Sequence, residues 1–132
     1  MKFMPINICA KKYGFEFYSF DKISSTMDRA KSKINIHNSN LIIIASEQYK
    51  GRGRLGSEWI SPPGNIYCSI AFSISNPLKE LFKFAMLTSV AIKHSLEYIG
   101  LANIFFKWPN DIFCNNKKIS GIIQETYKND NN

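Results

Sequence analysis

Ser46-Glu47-Gln48-Tyr49-Lys50-Gly51-Arg52-Gly53-Arg54-Leu55-Gly56 is the stretch on which the reading of this chain turns. The run Leu41-Ile42-Ile43-Ile44-Ala45 feeds into it. Trp59, Ser61, Pro62, Pro63 and Gly64 follow, and then a second apolar run spans 66–74. Short runs this rich in isoleucine predict strands, so the segment between them is a long loop joining two strands. A loop of that length inside a compact domain is usually functional or disordered. Its glycines leave backbone N–H groups open to close approach by a ligand. Arg52 and Arg54 offer fixed forks of donors that suit a carboxylate or a phosphate. The loop is expected to bind an anion and to order around it.

Working outward, 15–20 alternates aromatic and polar residues and predicts a strand, while 1–14 carries no clear signal. Ser24-Ser25-Thr26 supplies hydroxyls for an N-cap and Asp28 suits the first turn of a helix, predicted over 26–34. The Asn-rich segment 35–40 reads as a turn, with His37 a solvated loop residue. Beyond the second strand, Ser75-Asn76-Pro77 reads as a turn. The longest helix pattern covers 78–100: Leu81, Phe84, Ala85, Thr88, Ala91, Ile92 and Leu96 recur at spacings of three and four, and Gly100 closes it. Its Phe and Met residues are expected in the core, and His94 falls on its polar side. Strands follow over 103–107 and 111–114, interrupted by Trp108-Pro109-Asn110 because proline removes a ladder donor. Asn115-Asn116 is a two-residue hairpin signal, the return strand covers 117–126, and 128–132 is polar and expected to fray. Hairpin-linked strands with few helices predict an α+β fold, its sheet mixed or mainly antiparallel with helices packed on one face. A dinucleotide-binding unit is disfavoured, because the glycine loop joins two strands and is not G-x-G-x-x-G.

The chain has 132 residues, 45% of them hydrophobic and 14% aromatic, which is enough for one globular domain with a real core. Its net charge is +7, which suits nucleic acid, an acidic surface or anionic substrates. The cations are scattered apart from the cluster at Lys50, Arg52 and Arg54, so nucleic acid is not the favoured partner. Cys9, Cys68 and Cys114 form no C-x-x-C pair and read as reduced, buried thiols of a cytoplasmic protein. No run reaches the roughly 18 apolar residues of a membrane span, and the amino-terminal stretch is not a secretory signal.

Three islands could carry chemistry: Ser25-Thr26, the segment 48–64, and the segment 107–121. They contain no Ser-His-Asp set and no His/Cys metal cluster. Positive donors without a nucleophile fit electrostatic catalysis at a phosphate, and Asp111 could hold Mg²⁺ or orient a lysine. Each also has a plainer reading: Lys118 as a surface hairpin lysine, Asp111 as a turn cap, Trp59 as core. Gly121 within a strand suggests close backbone approach, by a ligand or by packing. Physical reasoning alone ends at a binder of a small anionic or phosphorylated ligand.

Four segments together resemble the biotin protein ligase family. Gly51-Arg52-Gly53-Arg54-Leu55-Gly56, with Trp59, Ser61-Pro62, Gly64-Asn65-Ile66-Tyr67 and Ser69, is similar to its Gly-Arg-Gly-Arg motif. Lys107-Trp108-Pro109-Asn110-Asp111 resembles its second signature and Lys118-Ile119-Ser120-Gly121-Ile122-Ile123 its third. Ser25-Thr26 resembles its S-T-N segment, with Met27 in place of the Asn. The resemblance implies a class II aminoacyl-tRNA-synthetase-like biotin/lipoate ligase catalytic fold over 1–132. It also implies ATP-dependent attachment of biotin, through biotinyl-5′-AMP, to a lysine of the biotin carboxyl carrier protein of acetyl-CoA carboxylase or another biotin-dependent carboxylase. By the same resemblance Ser25, Thr26 and Gln48 bond the biotin rings, and Gly51 and Arg52 hold its tail under the ordered loop. Trp59 packs on the ligand, and Gly121 and Ile123 line the pocket. Arg54 and Lys118 stabilise charge on the carboxylate and α-phosphate, while Lys107, Asn110 and Asp111 serve the ATP side, Asp111 with Mg²⁺. Closure of the loop would protect an acyl-adenylate from water. The matching segments correspond to the amino-terminal part of the family's catalytic domain. No helix-turn-helix domain precedes them, and the later Gly-x-Gly-x-Asn strand and carboxy-terminal β-barrel are not found. Two other readings stay open: a catalytically impaired fragment acting as a biotin- or partner-binding module, and nucleic-acid binding through the net charge. An open sheet edge raises the expectation of self-association, for instance as a homodimer.

Overall fold

The computed structural model describes residues 4–37, 39–74 and 77–127. The expected turn at Ser75-Asn76, the polar tail 128–132 and the side chain of His37 lie outside the described residues. The described chain forms two compact units. One takes the residues up to Ser73 with Tyr127, and the other spans Ile74–Thr126.

The first unit is built on a βαβ crossover. Strand β1 (Glu16–Ile23) and strand β2 (Leu41–Gln48) are parallel, joined through helix α2 (Thr26–His37). Strand β3 (Tyr67–Ala71) pairs antiparallel with the other side of β2, so the sheet order is β1-β2-β3. The central place of β2 explains its composition. A strand flanked on both edges and covered by a helix reads as a continuous apolar run, and Leu41, Ile43, Ile44 and Ala45 are all buried. Helix α2 packs against β2 and β3, and Lys33 and Arg29 on it lie over the rings of Tyr18 and Phe20 on β1. The helix runs to His37, a full turn past the expected end at residue 34. Asn residues weaken a helix without ending one.

Helix α1 (Met4–Lys12) was not foreseen. Pro5 breaks the apolar patch in sequence, yet in a first turn proline costs nothing because its missing N–H has no helical acceptor there. Gly14, at φ +76°, ends the helix, and Phe15 N–H returns to the Ala10 carbonyl at 2.9 Å.

The second unit holds helix α3 (Pro77–Tyr98) and an antiparallel meander of β4 (Ile104–Lys107), β5 (Asp111–Cys114) and β6 (Lys117–Gly121). Ile112, on the central strand, is fully buried. Asn115 and Asn116 take positive φ of 48° and 61°, the signature of a two-residue hairpin turn. Strand β6 stops at Gly121 rather than reaching residue 126. Gly121 faces Asp111, the first residue of β5, so the ladder runs out of partner; the last bond goes from Ile122 N–H to the Asn110 carbonyl in the preceding turn at 2.8 Å. Gly100, at φ +91°, caps α3 as expected, with Leu101 N–H on the Leu96 carbonyl.

Across the described sheets three pairings are antiparallel and one parallel, which agrees with an α+β fold with mixed, mainly antiparallel sheets. Two expectations about burial fail. Helix α3 is apolar on more than one face: Phe84 is half-buried, Phe82 and Met86 are exposed rather than core, and Leu87 and Val90 are exposed beside them. Cys9 and Cys68 are exposed and Cys114 is half-buried, so apolar neighbours in sequence did not place the thiols inside. No described helix is long and apolar enough to cross a membrane.

Candidate functional site

Parallel pairing of β1 and β2 puts their carboxyl ends side by side, the usual place for a site in a crossover of this kind. The chain leaving β1 enters α2 through Ser24-Ser25-Thr26, and β2 ends on Gln48. The two sequence islands therefore meet. Thr26 donates twice to Gln48 Oε1, from its N–H at 2.8 Å and from Oγ1 at 3.1 Å. Gln48 Nε2 donates to Ser61 Oγ at 3.2 Å, and the Ser61 hydroxyl donates to the Trp59 carbonyl at 2.8 Å. From the neighbouring strand, Ser69 Oγ donates to Thr26 Oγ1 at 2.8 Å. Ser25 caps α2, its Oγ accepting the Asp28 N–H at 3.4 Å. Ser25, Thr26 and Ser61 are 2%, 4% and 4% exposed. Thr26, at the buried centre of this chain, is satisfied both as donor and as acceptor.

Above it, the Gly/Arg loop is a narrow hairpin. Gly53 N–H bonds the Ser57 carbonyl at 2.6 Å, Trp59 N–H bonds the Gly51 carbonyl at 2.9 Å, and the backbones of Arg52 and Glu58 pair in an antiparallel β-bridge. Gly51 is buried where a Cβ would overlap the Trp59 carbonyl oxygen and Ser61 Oγ. Close approach thus explains this glycine, and the approaching group is the loop's own backbone. Gln48, Tyr49, Gly51, Trp59, Ser61 and Pro62, together with Glu47, Glu58 and Ile60, line a recess of about 270 Å³. Trp59 is half-buried there. Arg52 turns to Asp28, Nη2 to Oδ1 at 2.6 Å. Arg54 opens the exposed 3₁₀ turn Arg54–Gly56, in which Leu55 takes φ +55°.

The second unit gathers the other residues on its meander. Lys107 and Asp111 face each other across β4 and β5, and Asp111 faces Gly121 across β5 and β6. Lys118 Nζ lies 2.8 Å from Asp111 Oδ1, a buried oxygen with no hydrogen bond of good geometry, so charge rather than alignment joins the pair. Lys107 Nζ stands 5.5 Å from the Phe113 ring centre. Asn110 and Ile123 are half-buried, Asn110 in the turn after the cis Trp108–Pro109 peptide and Ile123 just beyond β6. Among the described residues no three His, Cys, Asp or Glu side chains cluster to hold a metal ion. Mg²⁺ is usually held by one or two carboxylates with substrate phosphates and waters, and Asp111, paired with Lys118, is the carboxylate among the predicted site residues that could take part.

The predicted site residues therefore form two sets. Ser25, Thr26, Gln48, Gly51, Arg52, Arg54 and Trp59 belong to the first unit; Lys107, Asn110, Asp111, Lys118, Gly121 and Ile123 belong to the second. Sequence reasoning missed the parts played by Ser61, Ser69 and Asp28. Both serines were quoted within a motif without a role, and no spacing rule signals a partner 13 or 43 residues away.

Comparison with known proteins shows the family. Residues 19–132 match the family model of the biotin/lipoate A/B protein ligase family. The bifunctional ligase/repressor BirA of Bacillus spizizenii is 35% identical over 107 residues, covering 80% of this chain and 33% of that protein. The biotin–[acetyl-CoA-carboxylase] ligase of Paracoccus denitrificans is 35% identical over 89 residues, covering 64% of this chain and 36% of that protein. Among solved structures, biotin protein ligase from Leishmania major in complex with biotin superposes with a TM-score of 0.74 at 26% identity, over 86% of this chain and 52% of that one. The enzyme from Aquifex aeolicus in complex with biotin and ATP superposes with a TM-score of 0.70 at 31% identity, over 86% and 47%. The chain spans about a third of the length of these curated relatives and about half of these solved chains. With the Gly/Arg loop standing over a Thr26–Gln48 cluster and a family match running from residue 19 onward, the chain belongs to the biotin/lipoate A/B protein ligase family.

Proposed function

We propose that this chain is the amino-terminal part of a biotin protein ligase catalytic domain and that it binds biotin in its first unit. The observation that carries the reading is the Ser69–Thr26–Gln48–Ser61 cluster beneath the Gly/Arg hairpin. Fixed, buried donors and acceptors suit the neutral ureido group of biotin, because a buried site for hydrogen-bonding groups discriminates strongly against ligands lacking them. Gln48 Nε2 carries a second N–H besides the one on Ser61, and the recess of about 270 Å³ opens beside it. Arg52 supplies the fork for the biotin carboxylate. Trp59 packs on the ligand.

In the reaction proposed, a biotin carboxylate oxygen attacks the α-phosphorus of ATP, the α–β anhydride bond breaks, and pyrophosphate leaves. The neutral amine of a lysine on a biotin carboxyl carrier protein then attacks the acyl carbon of biotinyl-5′-AMP, loses its proton and releases AMP. Lys118 and Arg54 stabilise negative charge as it shifts through the carboxylate and α-phosphate. Lys107 and Asn110 serve the triphosphate, and Asp111 holds Lys118 in place. Gly121 and Ile123 are assigned to ligand contact within the second unit. No step is assigned to Mg²⁺. One observation favours a second reading, in which the chain binds biotin without activating it: the neutral cluster and Arg52 sit in one unit, while Lys118 and Asp111 sit in the other.

Calorimetry with biotin alone, and then with biotin and MgATP, tests both readings. Binding that weakens at least tenfold in Arg52→Ala, with pyrophosphate released on adding ATP, supports the ligase. Binding without pyrophosphate release supports the binding module. A folded sample that takes no biotin overturns both.

A further inference from the structure

We propose that Asp28 is the positioning residue for Arg52, a carboxylate in the first turn of α2 that ties down the Gly/Arg loop before any ligand arrives. The proposal rests on the biotin reading above for the identity of the ligand. Its structural core does not.

The backbone of Arg52 is already held, by its bridge to Glu58 and by the flanking bonds of Gly53 and Trp59. The direction of its side chain is not. Asp28 supplies that direction, with Oδ1 accepting from Nη2 at 2.6 Å. Asp28 starts from a fixed point on the chain: it lies in the first turn of α2, its backbone N–H 3.4 Å from the buried Ser25 Oγ. Two residues earlier on the same turn, Thr26 is fastened to Gln48 at the end of β2. The contacts therefore close a ring from Gln48 through the loop to Arg52, across to Asp28, and back through the first turn of α2 to Gln48. Loop and helix start are clamped at two points, one neutral and buried and one charged and accessible.

The charged point is the adjustable one. The side chains of Arg52 and Asp28 are 39% and 47% exposed, and exposed ion pairs are weak. A guanidinium carries five N–H donors, and this contact uses one nitrogen, so an anionic tail can engage the same arginine. A helix dipole alone would explain an acidic residue in the first turn, and it predicts no coupling between Asp28 and Arg52. The two explanations therefore separate by experiment.

The test is hydrogen exchange of the ligand-free chain, together with biotin calorimetry, on the unsubstituted chain, Asp28→Asn, Asp28→Glu, and the double substitution Asp28→Arg with Arg52→Asp. Exposed pairs of this kind change equilibria by up to about fivefold. Asp28→Asn is expected to speed exchange of the Gly53 and Trp59 amides by roughly that factor and to weaken biotin binding about as much, with unchanged circular dichroism. Asp28→Glu restores part of both. The reversed pair regains loop protection but not biotin affinity, because a carboxylate at position 52 repels the biotin tail. Unchanged exchange in Asp28→Asn, or tighter biotin binding there, overturns the proposal. If the unsubstituted chain binds no biotin, the biotin reading fails and the exchange data still decide the clamp.

Discussion

The two units solve the placement of polar groups in opposite ways. The first hides neutral side chains, with Ser25 and Thr26 no more than 4% exposed, and satisfies them one by one. The second arranges charges on a hairpin and leaves them partly in water, with the side chains of Lys118 and Asp111 at 35% and 21% exposed. A neutral buried cluster is stringent about geometry, since each lost partner leaves an unsatisfied group. The pair is only partly in water, because the Asp111 oxygen that faces Lys118 is buried.

Gly51→Ala presses hardest on this contrast. The added methyl meets the Trp59 carbonyl, which is backbone, and Ser61 Oγ, which belongs to the cluster. Overpacking against such groups costs about 1–3 kcal/mol, and biotin binding should be lost with it. Gly53→Ala is the internal control. Its obstacle is Ser57 Oγ, a side-chain atom that can rotate, with backbone only at 3.4 Å. Urea unfolding and calorimetry of the two variants check the pair. Equal effects would mean that the loop is not held from beneath as described.

Lys118→Met comes next in size. Asp111 Oδ1 is buried, so removing its cation leaves that oxygen uncompensated and should lower the unfolding midpoint, while biotin binding stays intact and pyrophosphate release falls sharply. Loss of biotin binding in this variant would erase the distinction between the units. A variant that still releases pyrophosphate at the original rate would remove Lys118 from the proposed chemistry.

How much of this was legible in the sequence follows the same division. Strand β2 and the Asn115-Asn116 turn could be read because their signals are local: an unbroken apolar run and two residues that tolerate positive φ. The Gly/Arg loop stood out for its composition. Helix α1 was hidden because Pro5 has opposite meanings in a helix interior and in a first turn. The exposed face of α3 was hidden because periodicity shows which residues share a face and not what covers it. Ser61 and Ser69 could not be assigned because their partners are set by strand pairing, which brings Gln48 to Ser61 and lays β3 along β2.

The smallest expected effect concerns a polar pair in the first unit that lies outside its cluster. Tyr18 donates its hydroxyl to Glu16 Oε2 at 2.6 Å on β1. That bond, ahead of desolvation and the charge of Glu16, raises the phenol above its ordinary value of 10.0, with Arg29 pulling the other way. The folded state therefore favours the protonated phenol. The resulting stability is fully present below the unfolded value near 10 and is lost as pH climbs through the higher folded value. The difference in urea midpoint between the chain and Tyr18→Phe should be flat from about pH 7 to 9 and shrink above 10, and its plateau should stay within roughly 1 kcal/mol. Lysine titration is common to both proteins and cancels in the difference. A difference that stays level through pH 11 would show that Glu16 does not hold this proton. A plateau as large as the cost of Gly51→Ala would show that partly exposed polar pairs in the first unit count for as much as its buried cluster, and the contrast between the units would have to be drawn by position in the fold instead of by burial.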